Sequence, residues 1–298
     1  MKSVTAALFS VLLLASAASA ATIEEAQQAF DKGDFVAAAA TAGELAQSGD
    51  ARAMTILGRL HAAGLGVTRN LDTAMDWLGR AAELGDATGQ LALAMIYLDA
   101  NSGRGDYEKG AGWLRRAADG GLAEAQFNMG LLTSGGFGNP PELVLAAEWF
   151  RKAADQGHAG AQYNLGVLYL EGQGVEKNPI EAASWIGKAA QAGNVDAMLD
   201  YGVLVIRGEG VQQNDKIGAQ WLLVSARRGN IIAQNRMARL YAFGKGVEAD
   251  PVEALKWNIL ASRAGRKDAE LDTMLGKLSD TQKAEAQARA DAFKPVAP

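Results

Sequence analysis

The sequence predicts an all-α fold: a right-handed α-solenoid of six 36-residue helix-turn-helix repeats with capping hairpins. Three observations support this fold class. Apolar residues recur at i, i+3, i+4 and i+7, which is helical spacing, and glycines recur at fixed places between the helical segments. The third observation is that the six tryptophans stand 36 residues apart, at Trp77, Trp113, Trp149, Trp185, Trp221 and Trp257. A constant period of this length is typical of stacked helical hairpins, none of which buries its apolar face alone.

The N-terminal segment, residues 1–20, reads as a signal peptide. Lys2 precedes an apolar run, and Ala18-Ser19-Ala20 is typical of a signal peptidase site. The alternative is an uncleaved anchor, although the run is short for a span of about 20 residues. The chain has no cysteine, which excludes a lipidated N-terminal cysteine and a disulfide framework. We therefore expect a periplasmic protein without stable membrane insertion after cleavage.

The remaining chain divides into a cap, six repeats and a second cap. Residues 21–50 predict an N-terminal capping hairpin that turns at Gly33-Asp34, and residues 267–298 predict C-terminal capping helices and a tail, with Ser279 as an N-cap. Between them, residues 51–266 form the repeats without an insertion, at 51–86, 87–122, 123–158, 159–194, 195–230 and 231–266. Solenoids need polar caps at both ends, and the flanking segments supply them.

Capping residues and glycines recur at the same positions in most of the repeats. Second helices begin after a side chain that can accept first-turn N–H groups, at Asn70, Asp106, Asn178, Asn214 and Asp250, and end at glycines suited to a left-handed cap, at Gly85, Gly121, Gly157, Gly193, Gly229 and Gly265. The turns between helices carry Gly64/Gly66, Gly136/Gly138, Gly172/Gly174, Gly208/Gly210 and Gly244/Gly246, for which we expect positive φ. Phosphate binding is the alternative reading of Gly-x-Gly, but its recurrence with the 36-residue period favours hairpin turns.

The repeat pattern resembles a known family. Residues Ala159 to Gly193 contain A-x-A-x-x-x-L-G-x-L-Y-x-x-G-x-G-V followed by A-x-x-W-x-x-K-A-A-x-x-G, and the other copies carry weaker versions. This pattern is similar to that of the Sel-one-like repeat family, relatives of the tetratricopeptide repeats. Repeat two departs most, because "DANSGRGD" at 99–106 replaces the glycine loop. The resemblance implies an adaptor or regulator in envelope assembly or signalling.

Composition and motifs argue against several function classes. The net charge of −5 does not favour nucleic-acid binding. The two histidines fall at different repeat positions and the chain lacks cysteine, so no metal set of ordinary spacing is expected. We find no sequence motif for a nucleophile or a cofactor, and we predict a non-enzymatic protein without a cofactor.

The variable positions of the first helices suggest a partner-binding surface. If the array curves as tetratricopeptide arrays do, a stripe at spacings of three and four residues would line its concave face, apolar in repeats two to five and flanked by arginines. From this stripe we select as partner-binding residues Arg59, Leu91, Met95, Phe127, Leu131, Tyr163, Val167, Leu199, Val203 and Arg239. The alternative is that tight packing buries the stripe. Arg115-Arg116 and Arg151-Lys152 could bind anions or form a solvated outer face.

Three function hypotheses follow from these patterns. The leading one is a non-catalytic periplasmic scaffold or regulator that binds an apolar or amphipathic protein segment on the concave face, with Arg59 and Arg239 placing acidic residues at its ends. The second is an envelope hydrolase, or a subunit of one, acting on peptidoglycan or a β-lactam. The third is binding of a glycan or muropeptide by the same groove, with Phe127 and Tyr163 as stacking surfaces.

Overall fold

The computed structural model describes residues 22–136 and 140–296, in which the regular elements are helices and no strand occurs. This confirms the predicted all-α repeat fold. The predicted signal peptide lies outside the described residues. The chain divides into two units, one up to Leu93 and the other from Ala94, and the boundary lies within one helix.

The first unit holds two complete hairpins. Helices α1 (Ile23–Asp31) and α2 (Phe35–Gln47) form the first, which turns at Gly33 with φ of 79°. Helices α3 (Ala51–Ala63) and α4 (Leu71–Glu83) form the second. Helix α5 (Ala87–Leu98) begins in this unit and ends in the next. The core is rich in alanine, which permits the close approach of the helices.

The second unit continues the same alternation of first and second helices. Its helices are α6 (Tyr107–Asp119), α7 (Ala123–Leu131), α8 (Leu143–Asp155), α9 (Ala159–Glu171), α10 (Pro179–Gln191), α11 (Val195–Arg207), α12 (Asp215–Arg227), α13 (Ile231–Phe243), α14 (Pro251–Arg263), α15 (Ala269–Leu275) and α16 (Asp280–Asp291). Each helix from α6 to α14 packs against its sequence neighbour, and α15 and α16 pack against α14. The predicted Ser279 N-cap is present, as part of a capping box with Gln282.

One loop hydrogen bond recurs in all six repeats and fixes the hairpin geometry. The backbone N–H of the residue before each second helix donates to a carbonyl near the end of the first helix, over 2.7 to 3.0 Å. The donor–acceptor pairs are Asn70–His61, Asp106–Tyr97, Glu142–Thr133, Asn178–Tyr169, Asn214–Val205 and Asp250–Tyr241. The six turns therefore share one closing contact although their sequences differ.

Most of the predicted caps and turns are confirmed. All five predicted N-cap side chains accept a first-turn N–H, and all six terminal glycines have positive φ. Repeat three is the exception among the glycine turns: Gly135, with φ of 93°, takes the left-handed conformation, and Gly136 does not. A π-helical turn at Leu132–Gly136 shifts the reversal by one residue, and Gly138 lies outside the described residues.

Repeat two reaches the same closure by another route. Its atypical loop forms a short 3-10 turn at Ala100–Ser102, capped by Asp99, and Gly103 is left-handed with φ of 68°. Asp106 then caps α6 as its counterparts do in other repeats. A local rearrangement therefore preserves the hairpin despite the lost Gly-x-Gly.

Candidate partner-binding surface

A row of aliphatic side chains lies on the surface of the second unit. Met95, Leu131, Val167 and Val203 occupy one position of the first helix in repeats two to five, and we refer to them as the apolar row. None is fully buried, and Met95 is 39% exposed. The residues that follow three of them, Leu132, Leu168 and Leu204, are buried in the core. A rotation of about 100° per residue around the helix separates the surface position from the core position.

A second position of the stripe, four residues before the apolar row in each first helix, is occupied by Leu91, Phe127, Tyr163 and Leu199. Leu91, in the first unit, is half-buried, as are Phe127 and Tyr163 in the second. Phe127 stacks on the imidazole of His158, with ring centres 4.4 Å apart, and lies 6.0 Å from the ring of Phe150. These contacts cover much of the Phe127 ring and leave little aromatic face for a ligand.

Leu199 is buried, with 6% of its surface exposed. It packs in a core cluster with Leu222 and Met237, so the expectation that it contacts a partner is corrected. The apolar row therefore ranges from half-buried, at Leu131, Val167 and Val203, to exposed, at Met95, whereas the adjoining position ranges from half-buried to buried. Some members of the stripe therefore fit the interpretation as an accessible surface, and others fit the interpretation as core.

The two arginines selected from the sequence have different surroundings. Arg59 is exposed, and its guanidinium lies 4.6 Å from the centre of the Phe30 ring. Arg239 binds Asp268 through two hydrogen bonds of 2.8 and 2.9 Å, and its Nη2 lies 3.0 Å from Glu270. Two carboxylates of the C-terminal segment therefore engage Arg239, whose side chain stays 42% exposed. That Arg239 places a partner's acidic residue stays a prediction.

A polar pair borders the apolar row. The Tyr163 hydroxyl donates to Asp200 Oδ2 over 2.9 Å, which links repeats four and five. Burial, reinforced by the nearby Asp200, raises the pKa of Tyr163 well above its ordinary value, so the phenol stays protonated. Burial also raises the pKa of Asp200, against the opposing effect of the hydrogen bond from Tyr163. The pair joins two consecutive first helices by a side-chain contact.

The basic pairs stand over tryptophan rings on the second helices. Lys152 Nζ is 3.9 Å from the centre of the Trp149 ring, and the Arg116 guanidinium is 4.5 Å from that of Trp113. Trp149 is almost fully buried, whereas Trp113 is half-buried. Cations over tryptophan faces contribute roughly 0.5–1 kcal/mol at exposed sites. This placement favours the solvated outer-face interpretation over an anion site.

A buried hydrogen bond between consecutive repeats escaped the sequence analysis. Gln90, Gln126, Gln162 and Gln234 share one position of the first helix, and each donates through Nε2 to a carbonyl near the end of the preceding second helix, over 3.1 to 3.2 Å. The acceptors are the carbonyls of Ala82, Ala118, Ala154 and Ala226. The signal was a glutamine recurring with the 36-residue period.

The described ranges, residues 22–136 and 140–296, hold neither a metal-binding cluster nor a helix suited to span a membrane. Within them no group of three or more His, Asp or Glu side chains is placed to hold a metal ion. In the same residues no helix combines the length and the apolar character needed to cross a bilayer.

Comparisons with known proteins agree with the repeat structure. The Sel1 repeat family matches residues 51–86, 87–122, 123–158, 159–194, 195–230 and 231–265. No curated protein matches the chain. Among solved structures, a Sel1 repeat protein from Oxalobacter formigenes is 27% identical, with a TM-score of 0.72 over 82% of this chain and 100% of its own.

A second similar structure is c5321, described as a protective antigen present in uropathogenic Escherichia coli strains and displaying an SLR fold. It is 27% identical, with a TM-score of 0.59 over 91% of this chain and 67% of its own. The family match covers well over half of the chain in six consecutive copies. The loop hydrogen bond that closes the hairpin is present in each of these copies. The chain therefore belongs to the Sel1 repeat family.

Proposed function

We propose that this protein is a non-catalytic scaffold or regulator that binds a segment of a partner protein along the apolar row, and that it acts in the periplasm. Sel1 repeat proteins are generally protein-interaction scaffolds. The periplasmic location follows from the predicted signal peptide. The face that carries the row is the one expected from the sequence to be concave.

The exposure of the apolar row is the observation that carries the proposal. Four aliphatic side chains recur at one surface position while the adjacent position is filled by core leucines. Leu131 and Val203 also pack at the edge of core clusters, but every member of the row keeps part of its apolar side chain exposed. Such a surface suits an amphipathic or extended segment of a partner.

The hydrolase hypothesis ranks below this one because Sel1 repeat proteins are typically non-catalytic scaffolds, and the glycan hypothesis ranks below it for a structural reason. The apolar row is aliphatic, whereas a stacking surface for sugars needs exposed ring faces. Phe127 is covered by His158 and Phe150, and the hydroxyl of Tyr163 is engaged by Asp200. The side chains nearest the row therefore already hold the repeats together.

Site-specific photo-crosslinking in intact cells tests the proposal. A photoreactive residue at position 167 should form adducts with a partner, and Leu131→Asp should remove most of them because a carboxylate disrupts the apolar row. The matched control is Val144→Asp, since Val144 is 64% exposed and belongs to a second helix. We expect Val144→Asp to leave the adducts unchanged.

The contrary results are equally definite. Adducts that persist in a folded Leu131→Asp variant, or that form from position 144 and not from position 167, would place the binding surface elsewhere. Circular dichroism and the melting temperature of each variant establish that it is folded.

A further inference from the structure

A small cavity opens at the end of the apolar row, among α11, α12 and α13. Its volume is about 210 Å³, and its apolar wall is formed by Val203, Ile206, Leu222 and Leu240. Small-molecule sites usually measure about 300–1,000 Å³, so this cavity is undersized for a cofactor or drug-sized ligand. Its size and lining suit one apolar side chain.

Cationic side chains surround the cavity. Arg207, Arg236, Arg239 and Lys245 all line it. Asp268 and Glu270 neutralise Arg239, whereas the only ion pair of Lys245 within the described residues is a long contact of 3.9 Å to Asp215. The balance of charge at the opening therefore depends on the other two arginines.

Arg207 and Arg236 are the two cations of the cavity lining that form no ion pair in the described residues. In residues 22–136 and 140–296, neither side chain has a carboxylate within the 4.0 Å of an ion pair. Although Arg236 is exposed at the surface, its partial desolvation and the positive charges of Arg207 and Arg266 lower its pKa, against the opposing effect of Asp200. An incoming carboxylate would relieve this repulsion between like charges.

We propose that this cavity binds an acidic segment of the partner, in which one large apolar side chain enters the cavity and flanking Asp or Glu side chains pair with Arg207 and Arg236. The inference rests on the proposed function, because it names the chemistry of the partner for one end of the apolar row. A single terminal carboxylate would bring one negative charge to two unpaired guanidinium groups, so acidic side chains on both sides of the apolar residue fit the cavity better.

Fluorescence anisotropy with a defined probe tests the inference. The probe is a labelled, end-blocked peptide, Asp-Glu-Leu-Glu-Asp, and the variant is Arg207→Gln together with Arg236→Gln. We expect wild-type protein to bind the probe and the double variant to bind it at least about tenfold more weakly, since two charge-assisted contacts are lost. Raising the salt concentration should weaken wild-type binding.

A matched control separates local recognition from net charge. Lys216 and Arg227 lie exposed on α12 outside the cavity lining, and Lys216→Gln with Arg227→Gln removes the same charge. This control should change the Kd by less than about twofold. Because long exposed side chains are replaced in both double variants, each should fold, which circular dichroism verifies, and the single Arg207→Gln variant provides a milder change.

Peptide variants define the ligand. Replacing the acids by Asn and Gln, or the leucine by alanine, should weaken binding to wild-type protein. The inference is overturned if the probe does not bind at up to about 1 mM, if the cavity variant binds as wild type does, or if its control loses as much affinity. A peptide in which Asn and Gln replace the acids but the C-terminus is free should bind weakly; if it binds as well as the probe does, the assignment to Asp and Glu side chains is overturned.

The two proposals fail separately. The probe measures the cavity, which shares only Val203 with the apolar row, and crosslinking from position 167 tests the row at a residue outside the cavity lining. If the probe binds but no adducts depend on the apolar row, only the proposal that a partner binds along the row is contradicted. If adducts depend on the row but the probe does not bind, only the proposal of an acidic segment at the cavity is contradicted.

Discussion

Asp268 connects the last repeat to the C-terminal segment through several bonds to one carboxylate. It accepts hydrogen bonds from Arg239 and from Asn235 Nδ2, and it caps α15 through the N–H of Leu271. Burial alone would raise its pKa, but the hydrogen bonds from Arg239 and Asn235 hold that pKa below its ordinary value. The ionised form is therefore the form that the folded protein favours.

Asp268→Asn isolates the charge, because asparagine is an equally good N-cap. We expect a loss of about 1–2 kcal/mol in the free energy of unfolding at neutral pH, the difference between charged and neutral hydrogen bonds. A carboxyl group whose pKa is lower in the folded than in the unfolded protein stabilises the folded state at pH values above the unfolded pKa. This stabilisation is lost as the pH falls through the folded pKa. The difference between variant and wild type should thus shrink below about pH 4.

Urea unfolding of both proteins across this pH range measures the difference. A loss that stays constant from neutral to acidic pH would mean that packing, and not ionisation of Asp268, causes it. Arg227→Gln is a suitable comparison, since Arg227 is exposed, and it should change stability by less than about 0.5 kcal/mol.

The sequence could not show what Arg239 binds. Comparison of the repeats identified it as a variable position, but its carboxylate partner Asp268 lies beyond the last repeat. Similarly, Leu199 shares its repeat position with the half-buried Tyr163, yet its neighbours enclose it. The period determines which helix position a residue occupies, whereas its exposure also depends on side chains of adjacent repeats.

At the level of the hairpin, the second glycine of the turn brings consecutive repeats together. A Cβ added at Gly210 would lie 1.8 Å from the carbonyl oxygen of Pro179, the first residue of α10. Gly174 makes the equivalent approach to Leu143, the first residue of α8. The sequence predicted positive φ at these glycines. It gave no sign of the close backbone contact, which involves a helix about 30 residues earlier.

Gly210→Ala should therefore lower the free energy of unfolding by more than the backbone strain of a left-handed alanine alone would. Gly103 provides the control, because its φ of 68° nearly equals the 70° of Gly210 and no atom lies within 4 Å of an added Cβ. Both substitutions carry the left-handed strain of roughly 1–2 kcal/mol. We expect Gly210→Ala to lose about 1–3 kcal/mol more, from overpacking against α10.

Chemical denaturation of the two variants checks this difference. Equal losses would show that the repeats separate slightly at no cost, and that the contact with Pro179 does not limit their approach. The m-value should remain unchanged, because neither substitution alters the surface that unfolding exposes.

Considered as a whole, a repeat protein must close its terminal core. Here α16 packs on α14, and Phe293 meets Trp257 edge to face with ring centres 5.5 Å apart. Trp257 is only 1% exposed, although it belongs to the last repeat. The repeat pattern predicted that a cap was needed, and residues 267–298 were expected to form capping helices with Ser279 as an N-cap, but the pairing of these two rings depends on the packing of α16.

Truncation after Lys277 should expose Trp257 and weaken the last repeat. The truncation removes all of α16, including the buried Ala286 and Ala290 as well as the half-buried Phe293, and we expect it to cost at least about 3 kcal/mol of unfolding free energy. A change of 1 kcal/mol shifts Tm by about 2–4 °C at this size. We therefore expect Tm to fall by at least about 6 °C. Differential scanning calorimetry measures it.

Arg289→Ala is the control for this truncation. It removes the ion pairs of Arg289 with Glu253 and Glu285 and leaves the apolar contact of the cap in place, so Tm should change little, as is usual for exposed ion pairs. A truncated protein with unchanged Tm would mean that α16 does not stabilise the last repeat.

The glutamine bond between consecutive repeats bears on how such a chain changes over generations. Its acceptor is a main-chain carbonyl, and equivalent carbonyls are present in every copy whatever the surrounding side chains. A whole repeat can therefore be inserted or deleted by unequal recombination, because the glutamine side chain finds a carbonyl acceptor in whichever repeat precedes it. The number of repeats can vary freely, whereas the residues that face a partner must change separately in each copy.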